Sequence, residues 1–345
     1  MPRAWRHEAG KPGKRRTLRG SLRGTGMYIA HFGLSQRPFS PTADTANYYP
    51  ATTHELALAR LRQALALEEG LAVLTAESGM GKTLIAHRLL DQLDADRLAL
   101  FVTNTHFGSP AGLFQTLLFD LGQPYEGRSE HELRLLVTEQ LLQSYQEGRP
   151  ALLVIDEAHH LSPVLLEELR MLGNLETREG KVLQTVLAGL PLLAESLARP
   201  INAAVKQRLR VQVELQPLDQ HESADYIAHL ARAVSKQPAK LFTDEAIELL
   251  ARSCRGVPRL LNQAADLSLQ LAASAEMQCV DAEPVLEALE QLGLGDAEGE
   301  RGADAGELRE APRVLPPEPE RDRSETASGC GVRPRRLFMS GKRSA

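Results

Sequence analysis

Leu71-Ala-Val-Leu-Thr-Ala-Glu-Ser-Gly-Met-Gly-Lys-Thr83, continuing as Leu84-Ile-Ala-His-Arg-Leu-Leu90, decides how the rest of the chain is read. A short β-prone run enters a turn carrying Gly79 and Gly81, and a helical pattern leaves it. A phosphate-binding P-loop needs that strand–loop–helix context. Its glycines let backbone N–H groups converge on an anion, and the helix start adds partial positive charge. Ala76, Glu77, Ser78, Gly79, Met80, Gly81, Lys82, Thr83 and Leu84 are therefore the expected nucleotide-binding run. Within it, Lys82 is placed to reach the β- and γ-phosphates, and the Thr83 hydroxyl to ligate Mg²⁺. The Gly-x4-Gly-Lys-Thr pattern asks for glycine at position 76, where this chain has Ala76. A methyl group is tolerated there if residue 76 keeps a negative φ.

A second motif follows at Ala151-Leu-Leu-Val-Ile-Asp-Glu157. The continuous apolar run reads as a buried parallel strand. It delivers Asp156 to hold Mg²⁺ through water, and Glu157 to polarise an attacking water. Together the two motifs specify ATP with Mg²⁺ as cofactors, with Glu157 and Lys82 as catalytic residues and Thr83 and Asp156 as metal residues. The letters Asp156-Glu-Ala-His159 also mark a class of helicases, but those need two tandem sheet domains, and nothing after residue 217 reads as a second sheet. His159 and His160 invite a zinc reading. No cysteine or third histidine stands at ligand spacing, so no such site is expected.

The 345 residues are 43% hydrophobic and 4% aromatic, so aliphatic side chains must fill the core. Strand patterns at 71–76, 98–103, 151–155, 182–188 and 211–215 alternate with helical patterns at 53–69, 82–93, 110–121, 129–147 and 163–175, which defines an α/β class. In the first helix Leu56, Ala59, Leu61 and Ala64, widened by Leu58 and Leu65, are the expected core stripe. Ser129-x-x-Glu132 reads as a capping box. From 217 onward only helices are expected, near 219–235, 243–253, 258–274 and 282–291. The expected domains are a disordered basic extension at 1–26, a nucleotide-binding α/β domain at 27–216, a helical lid at 217–291 and a disordered tail at 292–345. Residues 1–26 hold eight basic groups against one acid, so the remainder is seven charges more negative than the chain's −5. That disfavours a DNA groove on the core. Three cysteines without metal-ligand spacing, no apolar run near the ~20 residues of a membrane span, and no signal-peptide pattern together lead to a cytoplasmic expectation.

Met27-Tyr with Phe32-Gly-Leu and Pro38-Phe-Ser, then Gly79-Met-Gly-Lys-Thr83 and Leu153-Val-Ile-Asp-Glu-Ala158, resemble the ExeA/GspA-type ATPases of general secretion pathways. Leu166-Glu-Glu-Leu-Arg170, Leu172-Gly-Asn-Leu-Glu-Thr177, Gln207-Arg-Leu209 and Gly256-Val-Pro-Arg259 continue the likeness. The same AAA+ subgroup includes pilus-biogenesis ATPases and transposition helpers of the TniB type. The resemblance covers about residues 27–291. It implies a P-loop AAA+ fold with a parallel sheet and C-terminal helical lid, ATP hydrolysis and a homo-oligomer. It also implies a protein partner in an envelope secretion or pilus assembly, and an aromatic segment near residues 27–41 that helps to line the base site. In such a ring, Arg208 before the last strand would face a neighbour's γ-phosphate, with Arg210 the next candidate, and Arg259 would meet the γ-phosphate from the lid. Two alternatives remain at this stage: an ATP-dependent DNA-transaction helper, and a nucleotide-gated scaffold. The scaffold reading rests on Ala76 and on Leu190, which stands where the family usually has glutamine.

Overall fold

In a computed structural model the chain is described over residues 28–295, apart from 41–44, 46, 95, 104, 179, 236, 238 and 239. The basic extension and the tail beyond 295 lie outside the described residues. Five parallel strands are β1 (Leu71–Thr75), β2 (Leu98–Val102), β3 (Ala151–Ile155), β4 (Leu183–Gly189) and β5 (Leu209–Glu214). Their order across the sheet is β2-β3-β4-β1-β5, so β4 lies between the two motif-bearing strands. Thr75 pairs with Gly189 and Ile155 with Leu187, which brings the carboxyl ends of β1, β4 and β3 to one edge. Ligands of open α/β sheets bind at that edge.

Side chains alternate between faces with the period of two that a strand imposes. Val73, Leu153, Ile155, Leu183 and Leu187 face one core, shared with α3 (Pro110–Asp120), α4 (Glu130–Gln146) and α5 (Pro163–Leu172). Ala72, Leu74, Leu152, Val154, Val186 and Ala188 face the other, shared with α1 (Thr52–Ala66) and α2 (Lys82–Asp91). β1, β3 and β4 are buried throughout, and β5 alternates in exposure as an edge strand should. Buried Gln184 on β4 donates to the carbonyls of Ala64, Leu65 and Glu69. It thereby ties the end of α1 and the turn after it to the sheet. The Ser129–Glu132 capping box is present at the start of α4.

After β5 the chain forms α8 (Gln220–Val234), α9 (Asp244–Ser253), α10 (Pro258–Ser274) and α11 (Ala282–Gln291). These helices close around a third core that also takes Tyr28, Leu34 and Phe39 from the start of the described chain. The architecture is thus the expected parallel sheet flanked by helices, with a C-terminal helical region.

Two local readings change. The stretch before β5 shows no helical period in the sequence, yet it holds α6 (Leu192–Ala198) and α7 (Ala203–Arg208) around a short turn at Pro200–Asn202. In α1 the buried stripe is His54, Ala57, Leu58, Leu61, Ala64 and Leu65, whereas Leu56 is 58% exposed and Ala59 also faces solvent. The 3.6-residue period is served by 54, 57, 58 and 61, and positions 56 and 59 fall on the far side of that stripe.

Candidate functional site

β1 ends at Thr75, and the chain turns through Ala76–Gly81 before α2 starts at Lys82. Gly79 (φ +83) and Gly81 (φ +92) sit in the left-handed region, where a side chain would be strained. Gly79 is doubly constrained: a Cβ there would lie 2.8 Å from Cβ of Arg259. Ala76 has no positive φ and is buried against the α1–α2 core, so its methyl fits. The Lys82 ammonium donates to the carbonyls of Ala76 and Glu77, each at 3.0 Å. Burial pushes its pKa down, while Glu157 and Asp156 act in the opposite direction. Beneath the loop, buried His54 donates from Nε2 to the Met80 carbonyl at 2.9 Å and lies directly under Gly81.

From the end of β3, Asp156 accepts the Thr83 hydroxyl at 2.5 Å on Oδ2 and the Glu157 amide at 2.9 Å on Oδ1. The hydroxyl and carboxylate form an all-oxygen pair suited to a hard cation, so these residues fit Mg²⁺. Glu157 takes φ +52, a conformation that costs a non-glycine residue about 1 kcal/mol or more. The Thr105 hydroxyl donates to its carbonyl at 3.0 Å. Its carboxylate is 46% exposed, with Oε2 3.3 Å from His159 Nδ1. Burial, and then neighbouring His160, lowers the His159 pKa.

α10 closes the other wall. The Arg259 amide donates to the Gly79 carbonyl at 3.2 Å, and its guanidinium to Ser78 Oγ at 3.1 Å. Ser78, Gly79, Gly81, Lys82, Thr83, Leu84, Glu157 and Arg259 thus border one cleft of about 660 Å³. Ala76, Glu77, Met80 and Asp156 support it through the bonds just described. Arg208 is not brought there. It lines a separate groove with Lys181, Arg170 and Arg210 at the start of β1.

The cleft continues past Arg37, Pro38, Phe39, Ser40, Tyr49 and Tyr226, a wall of aromatic and apolar surface beside the phosphate loop. The aromatic–proline stretch near residue 38 was the signal for part of it. His54 sits in the buried stripe of α1 but belongs to no motif, and Tyr226 and Asn262 lie off the fully buried faces that their helix patterns report. Leu190, the residue that departs from the family glutamine, does border the cleft.

Strand order, phosphate loop, acid pair and helical region together define an AAA+ P-loop NTPase fold. Residues 66–197 match the AAA domain family, and the chain carries an AAA+ ATPase domain. Over 272 residues it is 34% identical to General secretion pathway protein A of Aeromonas hydrophila, which is consistent with the GspA/ExeA-type subgroup. That alignment covers 78% of this chain and spans 49% of the relative's length. Among solved structures, Cdc6p of Pyrobaculum aerophilum superposes with TM-score 0.59 at 17% identity, covering 72% of this chain and 71% of that one. Drosophila ORC bound to DNA gives TM-score 0.61 at 15% identity, covering 84% and 72%. At such identities these two share the fold. No helix among the described residues is long and apolar enough to cross a membrane.

Proposed function

We propose that the chain binds and hydrolyses ATP with Mg²⁺ as an oligomeric AAA+ ATPase, and that the cycle drives assembly or energising of an envelope secretion or pilus system. The observation that carries the first part is the meeting of Lys82, Thr83, Asp156 and Glu157 at one sheet edge, with Thr83 already bonded to Asp156. The second part is supported by the likeness to General secretion pathway protein A, extending across 78% of the chain.

In this reading the loop amides and the Lys82 ammonium hold the β- and γ-phosphates, and the aromatic wall takes the base. Thr83 and Asp156 would hold Mg²⁺, which supplies charge neutralisation on the phosphate oxygens. Glu157 orients and polarises a water whose oxygen attacks the γ-phosphorus as the bond to ADP breaks. Its left-handed backbone turns the carboxylate out of the strand line and into the cleft. Arg259 ties the helical region to the loop, so the position of α10 depends on what the loop holds.

Lys82→Ala is expected to abolish ATP binding. Glu157→Gln is expected to keep binding and lose turnover by at least about 10²-fold, the scale of a lost general base. Equilibrium binding of a fluorescent ATP analogue and steady-state phosphate release read the two separately. Equal nucleotide affinity in wild type and Lys82→Ala overturns the site. Loss of secretion or pilus assembly on gene deletion, restored by wild type but not by Glu157→Gln, tests the coupling. ATP-dependent, salt-sensitive DNA binding by the full chain would move the partner to nucleic acid instead.

A further inference from the structure

No cysteine or third histidine stands at ligand spacing from His159 and His160 in the sequence. The fold supplies what spacing could not. Glu157, His159 and His160 leave β3 on one short turn, and their potential ligand atoms all lie within 4.8 Å of one another. His159 Nδ1 is 3.3 Å from Glu157 Oε2, and the rings of His159 and His160 stand 4.0 Å apart, centre to centre. A third imidazole arrives from the loop after β2: the ring of His106 is 4.5 Å from that of His160. Among the described residues this is the one group of three or more ligating side chains close enough to share an ion.

We propose that Glu157, His159 and His160, with His106 within reach as a fourth ligand, form a site for a divalent transition ion of the zinc class. Its occupancy would switch off hydrolysis by taking the Glu157 carboxylate as a ligand. The donor set decides the ion. Imidazole nitrogens with one carboxylate suit Zn²⁺ and its neighbours, while Mg²⁺ and Ca²⁺ prefer all-oxygen shells. The Thr83–Asp156 pair, all oxygen, would keep Mg²⁺ at the same time, so the two sites do not compete for one ion. The geometry needs little change. Zinc with bonds of about 2.0–2.1 Å holds tetrahedral ligands ~3.3 Å apart, the present Glu157–His159 separation. His160 is exposed and can rotate to complete the set. His159 is held in place, with its side chain 7% exposed and Nδ1 facing both Glu157 Oε2 and, at 3.5 Å, the Leu190 amide.

The control follows from electron pairs. A carboxylate bound to zinc loses basicity and is held toward the ion, so it no longer polarises the attacking water, whereas the phosphate loop is untouched. ATP should therefore still bind while turnover stops. This consequence rests on the ATPase reading above. The metal site itself does not.

The test uses the full chain stripped of metal, with Zn²⁺ competed against a chromophoric chelator in excess Mg²⁺. Wild type is expected to bind one equivalent. His159→Gln and His160→Gln should each weaken it by at least about tenfold, the lower range for disturbed metal ligation, with circular dichroism unchanged. The cysteines are common to all three proteins, so thiol binding would show as equal affinity. Equal affinity, or no binding by wild type, overturns the site. Phosphate release at buffered free Zn²⁺ then reads control: wild type inhibited with unchanged ATP-analogue affinity, His160→Gln turning over and resistant. Stoichiometric binding without inhibition overturns the switch. A chain that never hydrolyses ATP would sink the ATPase reading, and the chelator competition would still decide the metal site.

Discussion

Gly256 turns the chain between α9 and α10 at φ +74, with its carbonyl accepting the Leu218 amide at 3.0 Å. A Cβ at this position would stand 1.9 Å from the Leu218 carbonyl oxygen, a backbone atom that cannot rotate away. Gly256→Ala is therefore expected to lose several kcal/mol, on the order of 3 or more, combining left-handed strain with direct overlap. The midpoint of urea unfolding checks it, and a shift within error would contradict the geometry. His54 makes a second residue-scale case, through pH. Burial is the main influence holding its pKa below the ordinary 6.5, against the Met80 carbonyl, Glu222 and Glu55, which all raise it. The unfolded chain then takes up this proton at higher pH than the folded one. Stability from neutral His54 is complete above about 6.5 and declines as pH falls below that, no faster than about 1.4 kcal/mol per pH unit. Because His54 supports Met80 and Gly81 from below, nucleotide affinity should weaken over the same window. His54→Gln should flatten that dependence. An affinity profile identical in the two proteins would remove His54 from loop support.

Between elements, a buried polar tie joins the start of the described chain to α10. Asp266 is 4% exposed and accepts Tyr28 Oη at 2.6 Å, Arg37 Nε at 2.8 Å, Arg37 Nη2 at 2.6 Å and Gln270 Nε2 at 2.7 Å. Burial first, and then the bond to Asp266, raises the Tyr28 pKa and keeps its hydroxyl a donor. Asp266→Ala strands Tyr28, Arg37 and Gln270. Arg37 is partly solvated, so the expected loss is about 2 kcal/mol rather than the full penalty of a buried pair. Residues 37–40 border the nucleotide cleft, so ATP affinity should fall together with the unfolding midpoint, while turnover at saturating ATP changes little. Unchanged affinity in the destabilised variant would separate this segment from the base site. Elements that announce themselves locally were legible in the sequence. β1 and β3 are continuous apolar runs, α4 carries its capping box, and α5 and α10 begin with proline in the first turn. α6 and α7 were not legible. At 7 and 6 residues, split by Pro200, neither is long enough to show a helical period. The φ of Glu157 and the approach of His106 were beyond reach for a different reason. Glutamate does not signal a left-handed turn, and a lone histidine carries no pattern.

Across the whole molecule, the expected site residue that lies apart from the cleft is Arg208, which ends α7 at the opposite end of the strands from the phosphate loop. Leu209 pairs with Leu71 at the start of β1, whereas the loop follows Thr75 at its end. The five residues of β1 put about 16 Å between those levels, too far for Arg208 to reach its own Lys82. The groove around Arg208 brings Arg170, Lys181 and Arg210 together with Glu68 and Glu69. The Lys181 pKa is lowered by burial and then by Arg208, and Arg210 lies alongside. In the oligomer proposed above, Arg208 would meet the phosphates of a nucleotide held by a second copy of the chain. If Arg208 acts there, a lone subunit binds ATP but lacks one charge at the oxygens that become more negative in the transition state. Arginine fingers are worth roughly 10³–10⁵ in rate and less in ground-state binding. Turnover per subunit should therefore rise with protein concentration, and Arg208→Ala should lose most of it with ATP affinity nearly unchanged. Mixing Arg208→Ala with Glu157→Gln should restore part of the activity, because one interface in the mixed assembly then joins an intact Glu157 to an intact Arg208. Arg210→Ala must be run in parallel, since it lines the same groove and carries the same charge. A chain that stays monomeric at every concentration with full, linear ATPase activity would exclude both arginines from the role.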